Sequence, residues 1–578
     1  MTDPFAKRRA TLAKTRPLAT AKKAPGDTAR VLALPRVVSN PAVNWQKFLK
    51  AGQPPIKLRP VQEDALASLA AHHGGLFPIG VGHGKTLIAL LGGLVMGCDV
   101  AIVLVAPATV PNMKQWLATC EEHYNMPETL IVSWGALSQA SSADMLVEWG
   151  KLVEGKRACL LADEAHFARN PSAARTQRLM RWLREHPDVR FAALSGTLTT
   201  RRLKDFAHLS HRALRLKSPV PGGQEGRTWD LVLAGEPYTA ADVATVRPLW
   251  DWAQVSRTEM PPRTLLTKSQ QNLLAKAFGE RLSTCPGVVL RSEPSCDAAL
   301  YLQKWEFRNR PAHVDLLFGE ADACSIGTEG PDGTAFADYA EAAMTARRLS
   351  FGFYYTWDWG VNGPNEEWLE KRNAWSRMCR KLIQRYNRPG FDTRGLVEAE
   401  AARRYKAGSR EEWIMCWQDW KDIEPTENPI TVPVWRTLWV LEQIIKKAND
   451  DAPMIIWYND LAVADKLREL GVRVCYAGDE TPATAQTVAL SVRSHGVGLN
   501  LQDRWSRQVF ACMPANGSTW EQVLGRTHRP GQPEDEVWAS VPQWTGSLRQ
   551  PLTQARADAQ WIESSTSARQ RLQLATFV

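Results

Sequence analysis

Three clusters, far apart in the 578-residue chain, carry residue types suited to work on a phosphoanhydride. The first is GHGKTLIALL, Gly82 to Leu91, which follows the apolar stretch GLFP and so falls at a strand-to-helix turn. Glycines there let backbone N–H groups close around phosphate oxygens, and the start of the helix adds partial positive charge. On this reading Lys85 neutralises the β- and γ-phosphates and Thr86 ligates Mg²⁺. The common pattern Gly-x-x-x-x-Gly-Lys-Thr needs glycine where Ile79 stands, so a glycine-rich turn without a ligand stays open from this stretch alone.

The second cluster is ACLLADEAH, an apolar strand that ends in Asp163 and Glu164. One carboxylate would hold Mg²⁺, usually through water, and the next would orient the attacking water. Taken alone, the same tetrad also reads as an acidic helix N-cap. The third is EQVLGRTHRPGQ, in which Gln522, Arg526 and Arg529 have Gln-x-x-x-Arg-x-x-Arg spacing. On a helix these residues share one face, from which two guanidiniums can approach a γ-phosphate held elsewhere in the chain. The alternative is an ordinary basic helix end.

The elements that must position these clusters follow from hydrophobic patterning. From Leu58 to about Leu198, short apolar runs alternate with helix-like segments: LFPIG, VAIVLVAP, TLIVSW, ACLLADEAH and RFAALSGT. The texture returns after about Val434 in PMIIWYND, VRVCYAGD, TVALSVRS and RQVFACMP. Such runs predict buried parallel strands with helices on both faces, and hence two α/β lobes. Residues 43–295 are expected to form the first lobe, with a helical protrusion at about 205–285. Residues 296–578 are expected to form the second, with a Trp/Arg-rich helical insertion at about 318–430. Trp368 and Trp375 are seven residues apart and would share a helix face, while Arg372, Arg380, Lys381 and Arg385 supply cationic surface. Two readings are open: tryptophans as core with a solvated charged face, or a protrusion that touches a nucleic-acid backbone.

Lys and Arg outnumber Asp and Glu by 71 to 61, a net charge of +10, which favours a polyanionic partner without identifying one. None of the ten cysteines pairs as Cys-x-x-Cys, so reduced thiols are expected rather than a zinc ribbon or disulfide framework. No apolar run approaches the length of a membrane span. Residues 1–42 are read as a basic, disordered N-terminal arm; an organelle transit peptide is the other reading of that composition.

Taken in order, LRPVQ, GHGKT, LVAPATVPNMKQW, DEAH, SGT, VALSVRSHGVGLNL and QVLGRTHRPGQ resemble the motifs of superfamily-two helicases, and within them the Swi/Snf-type double-stranded DNA translocases. The resemblance runs from about Leu58 to Gln532. The family's loop, Ala-x-x-Gly-x-Gly-Lys-Thr, accommodates Ile79 in its first position. Leu198 stands where the family usually has Pro, and MPANGSTW replaces the usual Asp-Trp-Asn-Pro element.

The resemblance implies two RecA-like parallel-sheet lobes with helical insertions, and ATP and Mg²⁺ bound between them. It implies nucleotide contacts from Gln62, which would read the adenine edge, from Gly80, Val81, Gly82, His83, Gly84, Lys85 and Thr86, and from Gln522. Thr86 and Asp163 would hold the metal, and Lys85, Asp163, Glu164, Arg526 and Arg529 would carry catalysis. Ser195, Gly196 and Thr197 would couple the nucleotide site to nucleic acid, and Lys114, Arg493 and Ser494 would lie on the strand-tracking surface. VVLRSEP resembles the family's end-of-lobe arginine motif and sets the lobe boundary near Cys296. The expected activity is ATP-dependent movement on double-stranded DNA by a monomeric motor that remodels DNA or DNA-bound proteins, away from any membrane. The expected compartment is the cytoplasm of a prokaryotic or phage-infected cell, or the nucleus if the source is eukaryotic. A strand-separating DNA or RNA helicase and a non-catalytic DNA clamp are the alternatives.

Overall fold

A computed structural model describes residues 26–578 apart from 81, 140, 197, 199–200, 254–264, 291–295, 335, 337–338, 361–362, 364, 387–390, 392, 424–428, 451 and 567. The apolar runs of the N-terminal half form β1 (Gly75–Phe77), β2 (Val100–Val105), β3 (Glu128–Ser133), β4 (Ala158–Ala162) and β5 (Arg190–Leu194). They build one parallel sheet in the order β1-β5-β4-β2-β3. Because side chains alternate along a strand, its two faces feed two cores. Leu76, Ile102, Leu160 and Phe191 enter one; Phe77, Val103, Leu161 and Ala192 enter the other, beneath the helices Pro60–His72, Lys85–Val95 and Val110–His123.

The C-terminal half contains β6 (Ala299–Trp305), an antiparallel pair β7 (Phe353–Asp358) and β8 (Ile430–Trp435), then β9 (Ile455–Tyr458), β10 (Arg473–Cys475), β11 (Val488–Ser491), β12 (Arg507–Phe510), β13 (Glu536–Pro542) and β14 (Thr576–Phe577). All but β7 and β8 join a second parallel sheet in the order β10-β11-β9-β12-β13-β6-β14. The protein is therefore mixed α/β, with two separate parallel sheets. β6, far upstream of the other apolar runs of this half, pairs along its whole length with β13.

Three expectations about organisation need correction. Residues 26–42 are not a loose arm. The helix Asp27–Ala33 docks on the first unit, with Val31 fully buried, Arg30 Nη1 donating to Ser218 O at 3.0 Å, and the Thr28 N–H donating to Glu225 at 2.7 Å. The expected arm over residues 1–25 lies outside the described residues. The region 205–285 is not a separate protrusion: Ala207–Leu214 packs on β1 and β5, and the helices Gly223–Ala234, Ala240–Ala253 and Lys268–Ser283 bury Trp229, Leu249 and Phe278 in the same core.

Finally, residues 296–578 do not form a closed unit. The helix Gly546–Thr566 begins in the core of the second sheet through Leu548, Leu552 and Ala555 and ends in the core of the first through Trp561 and Ile562. The Trp561 indole N–H donates to Leu233 O at 2.8 Å. A Cβ on Gly279 would come within 2.7 Å of Ser564 O, so glycine there permits the close helix crossing.

Between β7 and β8 sits a module of three helices, Glu366–Tyr386, Arg394–Lys406 and Glu412–Asp422, with its own core of Trp368, Trp375, Cys379, Leu382, Val397, Trp413 and Trp420. Trp368 and Trp375 are thus core residues. All ten cysteines are free thiols. Among the described residues, no helix is long and apolar enough to cross a membrane.

Candidate nucleotide site at the seam between the two units

After β1 the chain turns through Gly82 (φ 94°) and Gly84 (φ 74°), both in the left-handed region that favours glycine, before the helix Lys85–Val95 begins. A Cβ on Gly84 would also lie 2.3 Å from Gln62 Nε2. Gln62 is buried, donates Nε2 to Gly84 O at 2.8 Å and accepts the Arg59 N–H on Oε1 at 2.7 Å. Arg59 Nη1 in turn donates to Gly82 O at 2.6 Å. The side chain expected to read adenine therefore braces the loop here, and reading a base requires it to exchange the Gly84 bond.

Lys85 is buried, with Nζ 3.3 Å from Gly80 O and 3.8 Å from Glu164 Oε1. Thr86 follows in the first helical turn, half-buried, as is His83 in the loop. The Ser195 N–H donates to Phe77 O at 3.1 Å, and a Cβ on Gly196 would approach Gly80 Cα to 3.0 Å. This close passage lays the Ser195–Gly196 segment against the loop. Val81 and Thr197 lie outside the described residues, as does Arg291 of VVLRSEP.

β4 delivers the two carboxylates. The Asp163 N–H donates to Leu104 O at 2.9 Å, and the Trp134 indole N–H donates to Asp163 O at 2.8 Å, fixing the strand end. Glu164 has φ 52°, a left-handed conformation uncommon outside glycine. The bend separates the environments of the two acids. Burial, then the Glu164 charge, raises Asp163 to about 7. Burial also opposes ionisation of Glu164, but Lys85, His166 and Arg526 outweigh it and hold this carboxyl down at about 2.

The second unit closes the site. His166 Nδ1 is 3.2 Å from Glu164 Oε2 and 3.2 Å from Ser195 Oγ, while Gln522 Nε2 lies 3.0 Å from His166 Nε2. His166 thus bridges the two units, with Nδ1 toward Glu164 and Ser195 and Nε2 toward Gln522. Arg526 is buried and donates Nε to Gln522 O at 3.0 Å and Nη1 to Leu499 O at 2.9 Å; Arg529 Nη1 donates to the same carbonyl at 3.2 Å. Burial lowers Arg526 to about 9 and Arg529 to about 10. Among the described residues neither guanidinium has an ion-pair partner. Two desolvated cations beside Lys85 and Glu164 make an electropositive pocket, the chemistry that takes up a phosphate oxygen.

The spacing argument needs one correction. Gln522, Arg526 and Arg529 do not share a helix face, because the helix Gly517–Leu524 stops at Gly525. A Cβ there would sit 2.8 Å from Glu521 O and 3.2 Å from the Arg571 guanidinium carbon. Arg571 packs closely against this glycine. It pairs with buried Glu521 and donates Nε and Nη2 to His528 O at 3.0 and 2.8 Å, and the arginines converge through the resulting turn.

The residues expected on nucleic acid lie apart from this cluster. Lys114 is exposed on Val110–His123; Arg493 is exposed and donates Nε to Asn459 Oδ1 at 3.2 Å; Ser494 is half-buried, with its N–H on Ser491 Oγ at 3.4 Å. Arg493 lines a cleft of about 470 Å³ whose wall also includes His166 and Gln522. Nearby, a Cβ on Gly498 would come within 2.2 Å of Thr109 Cγ2, so the two units touch closely here. Sequence reasoning did not single out His166, Arg59, Glu521 or Arg571. His166 could have been found as the last residue of DEAH, whereas Glu521 and Arg571, 50 residues apart, carry no local signal. No protein-family model and no curated protein matches the sequence.

Proposed function

We propose that this protein is an ATP-dependent double-stranded DNA translocase of the Swi/Snf type among superfamily-two helicases, with its two sheets as RecA-like lobes. The observation that carries the reading is the convergence of Lys85 and Glu164 from one unit with buried Arg526 and half-buried Arg529 from the other, both without an ion-pair partner among the described residues, across the His166–Gln522 contact. A triphosphate in the Gly82–Gly84 turn would meet backbone N–H groups and Lys85, and its γ-phosphate would complete the charge balance of the two arginines. Glu164, held ionised, orients the attacking water.

The donor set also fits a magnesium ion. Mg²⁺ is commonly held by one or two carboxylates together with substrate phosphates, and Asp163, which accepts the Glu164 N–H at 2.9 Å, stands with Thr86 as such a set. When bound, Mg²⁺ neutralises phosphate charge. Loss of the γ-phosphate removes what Arg526 and Arg529 hold, so the seam opens on the arginine side. Translocation follows if each unit's grip on DNA differs between the two states. The cleft that shares His166 and Gln522 with the seam supplies a direct route between the two events.

The test is ATP hydrolysis with and without duplex DNA. Duplex is expected to stimulate the wild-type protein, and Lys85→Ala or Glu164→Gln to abolish the stimulation; unchanged turnover in both variants sinks the site assignment. Triplex displacement without fork unwinding is the expected motor signature. Robust fork unwinding without triplex displacement overturns translocation in favour of strand separation.

A further inference from the structure

The helical module between β7 and β8 takes no part in the seam, yet its charges are sorted. Residues 359–429 contain 13 Lys and Arg and 12 Asp and Glu, so the module has almost no net charge to advertise. Several acids are consumed internally. Glu400 bridges Arg403 (2.7 Å) and Arg404 (2.8 Å), Glu398 pairs with Lys421 at 3.0 Å, and Glu411 with Arg404 at 3.1 Å.

The helix Glu366–Tyr386 is treated differently. Trp368, Trp375, Cys379 and Leu382 bury one side of it, and Arg377, Arg380, Lys381 and Arg385 are exposed on the other at spacings of three and four residues. Among the described residues none of these four makes an ion pair; Arg380 Nε reaches only Ser376 O at 3.4 Å. Four like charges held within one stripe repel one another, so the fold alone gives no reason for the arrangement. From Arg377 to Arg385 the stripe runs about 12 Å, a length over which duplex DNA carries about seven phosphate charges.

The module also stands in a suitable place. Its ribbon β7–β8 is six residues long on each strand, about 20 Å, and begins at Phe353, in the wall of the cleft that holds Arg493. We propose that the stripe Arg377, Arg380, Lys381 and Arg385 is a second DNA-binding surface, gripping the phosphate backbone of duplex DNA outside the cleft between the two units. The inference rests on the duplex-DNA reading above. Contacts of this kind hold register and processivity and carry no sequence preference.

The experiment measures duplex affinity of the full chain by fluorescence anisotropy on a 40-base-pair duplex across a salt series. A variant with Arg377→Gln, Arg380→Gln, Lys381→Gln and Arg385→Gln is compared with the wild type. A control removes the same charge from the first unit through Arg184→Gln, Arg227→Gln, Lys268→Gln and Lys276→Gln, all at exposed positions. The stripe variant is expected to bind at least about tenfold more weakly near 0.1 M salt, with its log–log salt slope reduced by about 3, and the control to change neither by half as much. ATP hydrolysis without DNA should be unchanged in both. A stripe variant with wild-type slope, or equal losses in stripe and control, overturns the inference while leaving the translocase reading intact. A wild-type protein that binds no duplex at all overturns the reading and the inference together.

Discussion

Arg526 is expensive to keep where it is. A guanidinium buried without a carboxylate lowers stability, and its pKa, brought down to about 9 by burial and by Arg529, records the strain. Replacing it with a similar-sized apolar side chain removes that cost and, on the proposed function, the γ-phosphate contact together. Arg526→Met is therefore expected to raise the unfolding free energy of the nucleotide-free protein by about 1 kcal/mol while lowering DNA-stimulated ATP hydrolysis at least about 100-fold. Denaturant titration beside a turnover assay reads both; a variant that loses stability and keeps turnover contradicts the role. His528, between the two arginines, gives a pH signature. Burial, then the Arg571 charge, holds its imidazole neutral down to about 4, against 6.5 for the free side chain. Between these values the unfolded chain binds a proton that the folded one refuses, so stability falls as pH drops from about 6.5 to about 4, by about 3 kcal/mol in all. Urea midpoints measured from pH 7 to pH 5 should show the slope, and His528→Gln should flatten it.

At the scale of elements, two turns decide whether the site exists. Gly84→Ala asks a left-handed residue to carry a Cβ that also strikes Gln62, so it should cost about 1 kcal/mol or more and displace the Gln62 brace. Nucleotide affinity, read by fluorescent ATP-analogue titration, should fall with it; unchanged affinity would show that the brace is dispensable. Arg571 packs against the turn after Gly517–Leu524, donates to His528 O and keeps the Glu521 carboxylate occupied. Arg571→Ala frees that carboxylate beside Arg526 and should lower kcat more than KM for ATP. Adding Glu521→Gln should restore part of the loss, and a double variant no better than the single one would count against this arrangement.

The same elements mark what the sequence made legible. The central strands β2, β4, β9 and β11 are buried on both faces, so they appear as continuous apolar runs, and a phosphate-type turn appears as glycines before Lys85. β6 and β13 mix polar side chains into their strands and become strands through pairing across more than 200 residues, which no local pattern encodes. The spacing of Gln522, Arg526 and Arg529 suggested one helix face, whereas the helix ends at Gly525 and the arginines meet through a turn packed against Arg571, a neighbour that local spacing does not encode.

At the scale of the whole molecule, the helix Gly546–Thr566 belongs to both cores, so the units should not unfold independently. Trp561→Ala removes an almost fully buried indole and its bond to Leu233 O, and should cost about 3–5 kcal/mol. It should also split a single calorimetric transition into two; one undivided transition in the variant would mean that the seam alone couples the units. The straddling helix, with Trp561 anchored in the first core, ties the units together at one end of the seam. Motion at the seam is therefore expected to be a pivot about this helix rather than a separation.

That helix also bears on how the protein is made. Residues up to Cys285 contain nearly everything the first unit needs except the indole of Trp561, which the ribosome supplies about 280 residues later. At ordinary translation rates the nascent first unit waits roughly 15 to 60 s with an unfilled apolar socket. During that interval it is a natural client for holdase chaperones, and synthesis of the helix Gly546–Thr566 ends its need for them.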